Sequence, residues 1–184
     1  MTNPTGLAGP RPKLSMAELL KVFAPYREAR KLFLLKIGKH TSQRDPLAEF
    51  SEYFVAVLLK GSLANRRTQP GWDVELETGE HVQVRYLANL DRTRWVNEHL
   101  VDFRKPVDLY ALVLLEAFYK PSTVLVFRRG QTKPIYDILK KRHSNPDDTL
   151  SITLANVKTF ERKHEQFEAL GMRIIPITRM GRES

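Results

Sequence analysis

Seven consecutive apolar residues, Leu109-Tyr110-Ala111-Leu112-Val113-Leu114-Leu115, constrain the fold of this chain more than any other segment. Such a run reads as a central strand covered on both faces, because strands buried on two sides lose the alternation of half-exposed ones. The rest of the chain must then supply covering layers. Ser15 followed three places later by Glu18 forms a capping box, and Leu19, Val22, Phe23, Tyr26, Phe33 and Ile37 recur at helical spacing, which predicts a helix over 16–37. Asp45 and Pro46 give a second start signal, and that helix is expected to run to about Lys60, where Gly61 stops it. Leu47, Phe50, Phe54, Val57 and Leu58 make its main apolar face, while Val55, Ala56 and Leu59 extend hydrophobicity around most of its circumference, so it should be largely buried.

From Gly71 the period changes. Trp72, Val74 and Leu76 alternate with Asp73, Glu75 and Glu77, Thr78-Gly79-Glu80 makes a turn, and Val82, Val84 and Tyr86 alternate with His81, Gln83 and Arg85. This is the pattern of a β-hairpin. Further on, a short helix is expected over Arg92 to Leu100, strands over Thr123 to Arg128, Ser151 to Leu154 and Arg173 to Ile177, and a helix opened by Pro134 that ends near Arg142. Asn156 can cap a helix from Val157 to Leu170, with Gly171 as its stop. The mixture is α/β around one mixed sheet, with no internal repeat. Residues 1–14, which hold three prolines and two glycines, read as a flexible arm ahead of a single domain over 15–184.

The chain of 184 residues has no Cys, which excludes thiol catalysis, disulfide scaffolding and Cys-based zinc sites. It lacks an apolar run long enough to span a bilayer, and its first residues lack the apolar core of a secretory signal, so a cytoplasmic protein without membrane contact is expected. Lys and Arg number 30 against 21 Asp and Glu, a formal charge of +9 that favours a polyanionic partner. The excess is uneven: residues 51–100 carry six basic and seven acidic side chains, against nine and four in 1–50 and nine and six in 101–150. Basic flanks around an acidic centre suit a site that holds a cation beside a bound polyanion. None of the five His residues shows metal-ligand spacing, and no phosphate-cradling glycine loop occurs.

Alternation places Asp73 and Gln83 on one side of adjacent antiparallel strands, with Arg85 two residues beyond Gln83 on that same side. A carboxylate, an amide oxygen and a cation therefore converge. Hydrolysis of a phosphodiester asks for oxygen ligands around a divalent metal and a fixed positive charge on the phosphate. Glu49 and Glu52 interrupt the apolar second helix and can add a further carboxylate. The same hairpin residues would serve equally as a solvated ribbon face cross-linked by an ion pair, and Glu49 and Glu52 as structural partners of Arg66 or Arg67.

Glu52-Tyr53-Phe54-Val55-Ala56 on the helix, Gly71-Trp72-Asp73-Val74 at the next strand and Val82-Gln83-Val84-Arg85 on its partner together resemble the PD-(D/E)xK, or restriction-endonuclease-like, superfamily. The resemblance covers about residues 46–128 and implies an αβββαβ core with a mixed central sheet flanked by helices, extended by the N-terminal helix and a C-terminal part over 129–178. It implies a DNA phosphodiesterase that depends on Mg²⁺ or Mn²⁺, with Glu52, Asp73 and Gln83 as metal ligands and Arg85 in the place of the Lys that assists the water. The alternative is a nuclease-like module that binds nucleic acid without cutting. Two positions depart from the pattern: Gln83 is neutral where a carboxylate is usual, and the Arg85 guanidinium stays protonated, so it can stabilise a phosphate but cannot act as a base. Trp72 stands where the pattern has Pro.

Contacts to nucleic acid, DNA more than RNA, are expected from Arg66, Arg67, Arg92, Arg94, Trp95, Arg128, Arg129 and Lys133. Trp95 can stack on a base or anchor the core. Lys140, Lys141 and Arg142 also suit a helix C-terminus, where the macrodipole alone accounts for them. The resemblance further implies a homodimer or a place in a larger assembly, with the N-terminal helix as the natural interface.

Overall fold

Alternating and apolar runs become strands, and helical spacing becomes helices, in a computed structural model that describes residues 15–39, 44–64, 71–88, 99–102, 107–116, 120–140, 149–152 and 154–177. The chain divides into two compact units, Met1–Gln43 and Arg44–Ser184. The first contains α1 (Met16–Lys36), whose capping box is formed: the Ser15 hydroxyl accepts the Glu18 N–H, and the Glu18 carboxylate accepts the Ser15 N–H at 2.8 Å. Hydrogen bonds from the Ser15 hydroxyl and then from its backbone hold the Glu18 carboxyl below the ordinary carboxylate range. Leu20, Val22, Phe23, Tyr26, Leu32 and Leu35 are all exposed, so the apolar residues of α1 do not collect into one buried stripe.

The second unit runs α2 (Pro46–Leu59), β1 (Gly61–Leu63), β2 (Val74–Leu76), β3 (His81–Ala88), β4 (His99–Asp102), β5 (Leu109–Glu116), β6 (Lys120–Arg128), α3 (Thr132–Leu139), β7 (Thr149–Ile152), α4 (Leu154–Arg162), α5 (His164–Ala169) and β8 (Arg173–Pro176). Six strands form an open mixed sheet in the order β1-β2-β3-β5-β6-β8, and β4 pairs with β7 in a separate ribbon. Within the large sheet β3 and β5 are parallel and the other neighbours antiparallel. Among the described residues no helix is long and apolar enough to cross a membrane.

The apolar run becomes β5, and its residues from Leu109 to Leu115 are all buried. Its alternate residues feed two cores. Ala111, Val113 and Leu115 join Val55 and Ala56 of α2 with Val74, Val82 and Val84. Tyr110, Leu112 and Leu114 join Ile135 and Tyr136 of α3, Leu150 and Ile152 of β7, Phe160 of α4 and Phe167 of α5. A layer on each face of the sheet is what two-sided burial requires.

Local structure departs from the sequence reading at several points. Val57 is 64% exposed, and the buried face of α2 runs through Glu49, Ser51, Val55 and Ala56, because a helix apolar almost all round does not dictate which side packs. It is Lys60, not Gly61, that adopts the left-handed conformation ending α2, at φ 56°. Gly61 lies in β1, where a Cβ would stand 2.7 Å from the Glu75 carbonyl oxygen and 2.8 Å from Val74 Cγ1, so close strand approach demands the glycine.

His99 and Leu100 belong to strand β4, not to a helix, since residues 99–102 pair in register with 152–149. Long-range pairing overrides local propensity there. Helix α3 starts at Thr132, so Pro134 falls within its first turn, where a missing N–H costs nothing, and Lys140 in the left-handed region ends it before Arg142. The single helix expected over 157–170 is two helices broken at Lys163, and Asn156 lies buried inside α4 instead of capping it. The break lets Phe160 and Phe167 meet edge to face with ring centroids 4.7 Å apart. The arm over 1–14, residues 92–98 of the expected short helix, and Lys141 and Arg142 lie outside the described residues.

Candidate functional site

The hairpin register pairs Val74 with Val82 and Glu75 with His81, which sets Asp73 opposite Gln83. Val82, Val84 and Tyr86 pack toward α2, so Gln83 and Arg85 point to the other face of β3. Asp73 Oδ2 is the hub of this face. It accepts the Gln83 Nε2–H, the backbone N–H of Val84 at 2.8 Å and the Arg85 Nη1–H at 3.2 Å. Arg85 Nη1 also donates to the Val84 carbonyl at 2.6 Å. The Gln83 amide, 5% exposed, is satisfied through its nitrogen, which leaves Oε1 for another donor or a cation. At the start of β3, the Trp72 and His81 rings stack with centroids 4.3 Å apart, and Asp108 Oδ2 accepts the His81 N–H at 2.9 Å.

Helix α2 brings the other acids. Asp45 caps it by accepting the Leu47 N–H at 2.9 Å, and its second oxygen accepts the Tyr86 hydroxyl, which pins the helix start to β3. Glu52 is held by Arg44, whose Nη1 donates to Oε2 at 2.9 Å and whose Nη2 donates to Oε1. Arg66 and Arg67, the partners considered for Glu52 on sequence grounds, lie outside the described residues. The Arg44 guanidinium is held firmly protonated, first by the hydrogen bond to Glu52 against the cost of its own burial, and further by the charges of Glu52, Asp73 and Glu49. Arg44 thus holds the helix acid Glu52 in a two-point ion pair.

Glu49, only 4% exposed, keeps a buried Oε2 with no hydrogen-bond partner among the described residues. Glu52, Asp73 and the Gln83 amide offer oxygen donors only. Such an all-oxygen donor set is the chemistry that a hard divalent cation selects. Yet among the described residues no three His, Asp or Glu side chains converge closely enough to hold a metal ion, and both Glu52 oxygens are engaged by Arg44.

Of the residues expected to meet nucleic acid, Arg66, Arg67, Arg92, Arg94 and Trp95 lie outside the described residues. Arg128 ends β6, Arg129 lies in the turn that follows, and Lys133 is exposed in the first turn of α3. Arg128 pairs with Glu80 of the hairpin turn, whose carboxyl is held below its ordinary range by Arg128 first and by the Thr78 hydroxyl second. Sequence reasoning missed Arg44, which stands eight residues before its partner and carries no periodic signal. The chain matches no protein-family model and no curated protein.

Proposed function

We propose that this chain is a nucleic-acid-binding protein of the restriction-endonuclease-like class, a divalent-metal-dependent DNA phosphodiesterase with an altered site. One observation carries the reading: a single carboxylate oxygen of Asp73 gathers Gln83, the Val84 N–H and Arg85 near the start of β3. An ordinary solvated ribbon face has no reason to bury the Gln83 amide against its neighbour. Arg85, with its side chain 40% exposed, can donate its remaining N–H groups to a phosphate while Nη1 stays on Asp73. Its permanent charge stabilises negative charge that develops on phosphorus and leaves proton abstraction to another group. Glu52, Asp73 and Gln83 would hold the metal, which when bound supplies an activated water and charge neutralisation. The overall basicity of the chain favours the phosphate backbone as the feature recognised.

A second reading, binding without cutting, draws on the same two arginines: Arg85 cannot serve as a base, and Arg44 holds the oxygens of Glu52. One experiment separates them. Single- and double-stranded DNA and RNA are incubated with the protein and with Asp73→Ala, in Mg²⁺ or Mn²⁺. Metal-dependent cleavage of DNA that disappears in Asp73→Ala is expected. Salt-sensitive binding without any cleavage would establish the second reading instead.

A further inference from the structure

We propose that one exposed side of α1 is a self-association surface, against which a second copy of this chain docks its own α1 in the opposite direction. The proposal goes beyond the phosphodiesterase reading and uses none of its residues. It starts from spacing. Glu18, Val22, Pro25, Ala29, Leu32 and Lys36 follow one another by steps of four and three residues, which sets them in one line along the helix. All six are exposed, Val22 at 61% and Leu32 at 59%. Leu34, which is buried, projects from the far side of α1, so the covered side of the helix is not this one.

The line is complementary to itself only when two copies run in opposite directions. Read from either end it passes from a charge to a branched apolar side chain, then to two short ones, and out again in mirror order. In an antiparallel pair centred between Pro25 and Ala29, Glu18 meets Lys36 of the second copy, Val22 meets its Leu32, and Pro25 meets its Ala29. Two-fold symmetry repeats each contact, so opposite charges close both ends of a seam about 27 Å long. A parallel pair would set Glu18 on Glu18 and Lys36 on Lys36. Glu18 uses Oε2 for both of its bonds to Ser15, which leaves Oε1 for the lysine. Arg27 and Lys31 lie across the helix from the line and do not face their copies.

The rival explanation is that Glu18 and Lys36 each suit only their own helix end, and that Val22 and Leu32 are scattered surface residues. It predicts a monomer at every concentration. Sedimentation velocity of the full chain is expected to show a dimer with a dissociation constant in the micromolar range, about 1–100 µM, because the seam is smaller than a standard interface. Leu32→Glu should abolish the dimer and keep the helical circular dichroism. Glu18→Lys and Lys36→Glu should each weaken it by about tenfold, since two ion pairs become two repulsions, and the double variant should recover. A second measurement does not depend on charges at the helix ends. The chain has no Cys, so Val22→Cys and Leu32→Cys, made singly, carry one thiol each. Oxidised as a mixture, the two are expected to cross-link with each other and not with themselves.

A chain that stays monomeric throughout that range overturns the proposal. So does a dimer that Leu32→Glu leaves intact, because another surface would then hold it. Cross-linking of each cysteine variant with itself overturns the antiparallel register. The outcome is separable from that of the cleavage assay. DNA cleavage by a chain that remains monomeric overturns this proposal and leaves the phosphodiesterase reading. An antiparallel dimer that cuts nothing supports the proposal and overturns that reading.

Discussion

Strands β3 and β5 lie side by side, parallel and in unbroken register from Val82 and Leu109 to Ala88 and Leu115, yet they spend the same positions differently. On the sheet face away from α2, β5 presents Tyr110, Leu112 and Leu114 to the core, while β3 presents Gln83 and Arg85 before it returns to Leu87. Backbone pairing is indifferent to that choice, but solvation is not. Burying an amide without a partner costs about 1–3 kcal/mol, and an apolar residue at Gln83 would avoid the cost altogether. The polar pair on β3 is tolerated because Asp73 satisfies it from the neighbouring strand. Where the sheet can be apolar it is, and the exception sits opposite a carboxylate able to compensate it.

Two substitutions test that contrast most strongly. Leu112→Ala removes a fully buried side chain from the middle of β5 and should destabilise the chain by about 2–5 kcal/mol in denaturant unfolding, through lost burial and the cavity left behind. The folded fraction should keep its nucleic-acid affinity. Asp73→Ala is expected to be milder in stability, about 1–3 kcal/mol, since Gln83, Arg85 and the Val84 N–H lose their acceptor, but total in its effect on cleavage. The contrast breaks if Asp73→Ala cuts as well as wild type, for Asp73 would then be a structural tie like any core residue.

Much of this was written in local sequence. The run from Leu109 to Leu115 announced a two-sided strand, and the alternation on either side of Thr78-Gly79-Glu80 fixed which side chains share a face, so the convergence of Asp73, Gln83 and Arg85 followed from register alone. Gly171, at φ 83°, ends α5 as its position suggested. What escaped depends on partners far along the chain. The β4 and β7 ribbon joins segments about fifty residues apart, and four-residue strands carry too little pattern to be found singly. The break at Lys163 goes with the packing of Phe160 on Phe167, and Gly61 answers the close approach of β2. Arg44 was invisible for the same reason: nothing in the residues around it says that its guanidinium folds back eight positions onto Glu52.

The smallest expected effect lies just before β3, where the turn residue Glu80 meets Arg128 at the end of β6. Unlike the Asp73 cluster, this pair is open to water, with side chains 27% and 54% exposed, so it should contribute no more than about 1 kcal/mol. Its sign with pH is fixed by the direction of the shift. Arg128 and then Thr78 lower the Glu80 carboxyl in the folded chain, so the contribution is complete above the unfolded carboxylate range, around pH 4.3, and fades as pH falls through the lower folded value. Unfolding of wild type and Glu80→Gln should therefore differ slightly at neutral pH and converge in acid, and added salt should shrink the neutral difference. A gap that survives both acid and salt would mean that Glu80 holds the turn through packing. The water-facing end of β3 would then be built like its neighbour β5.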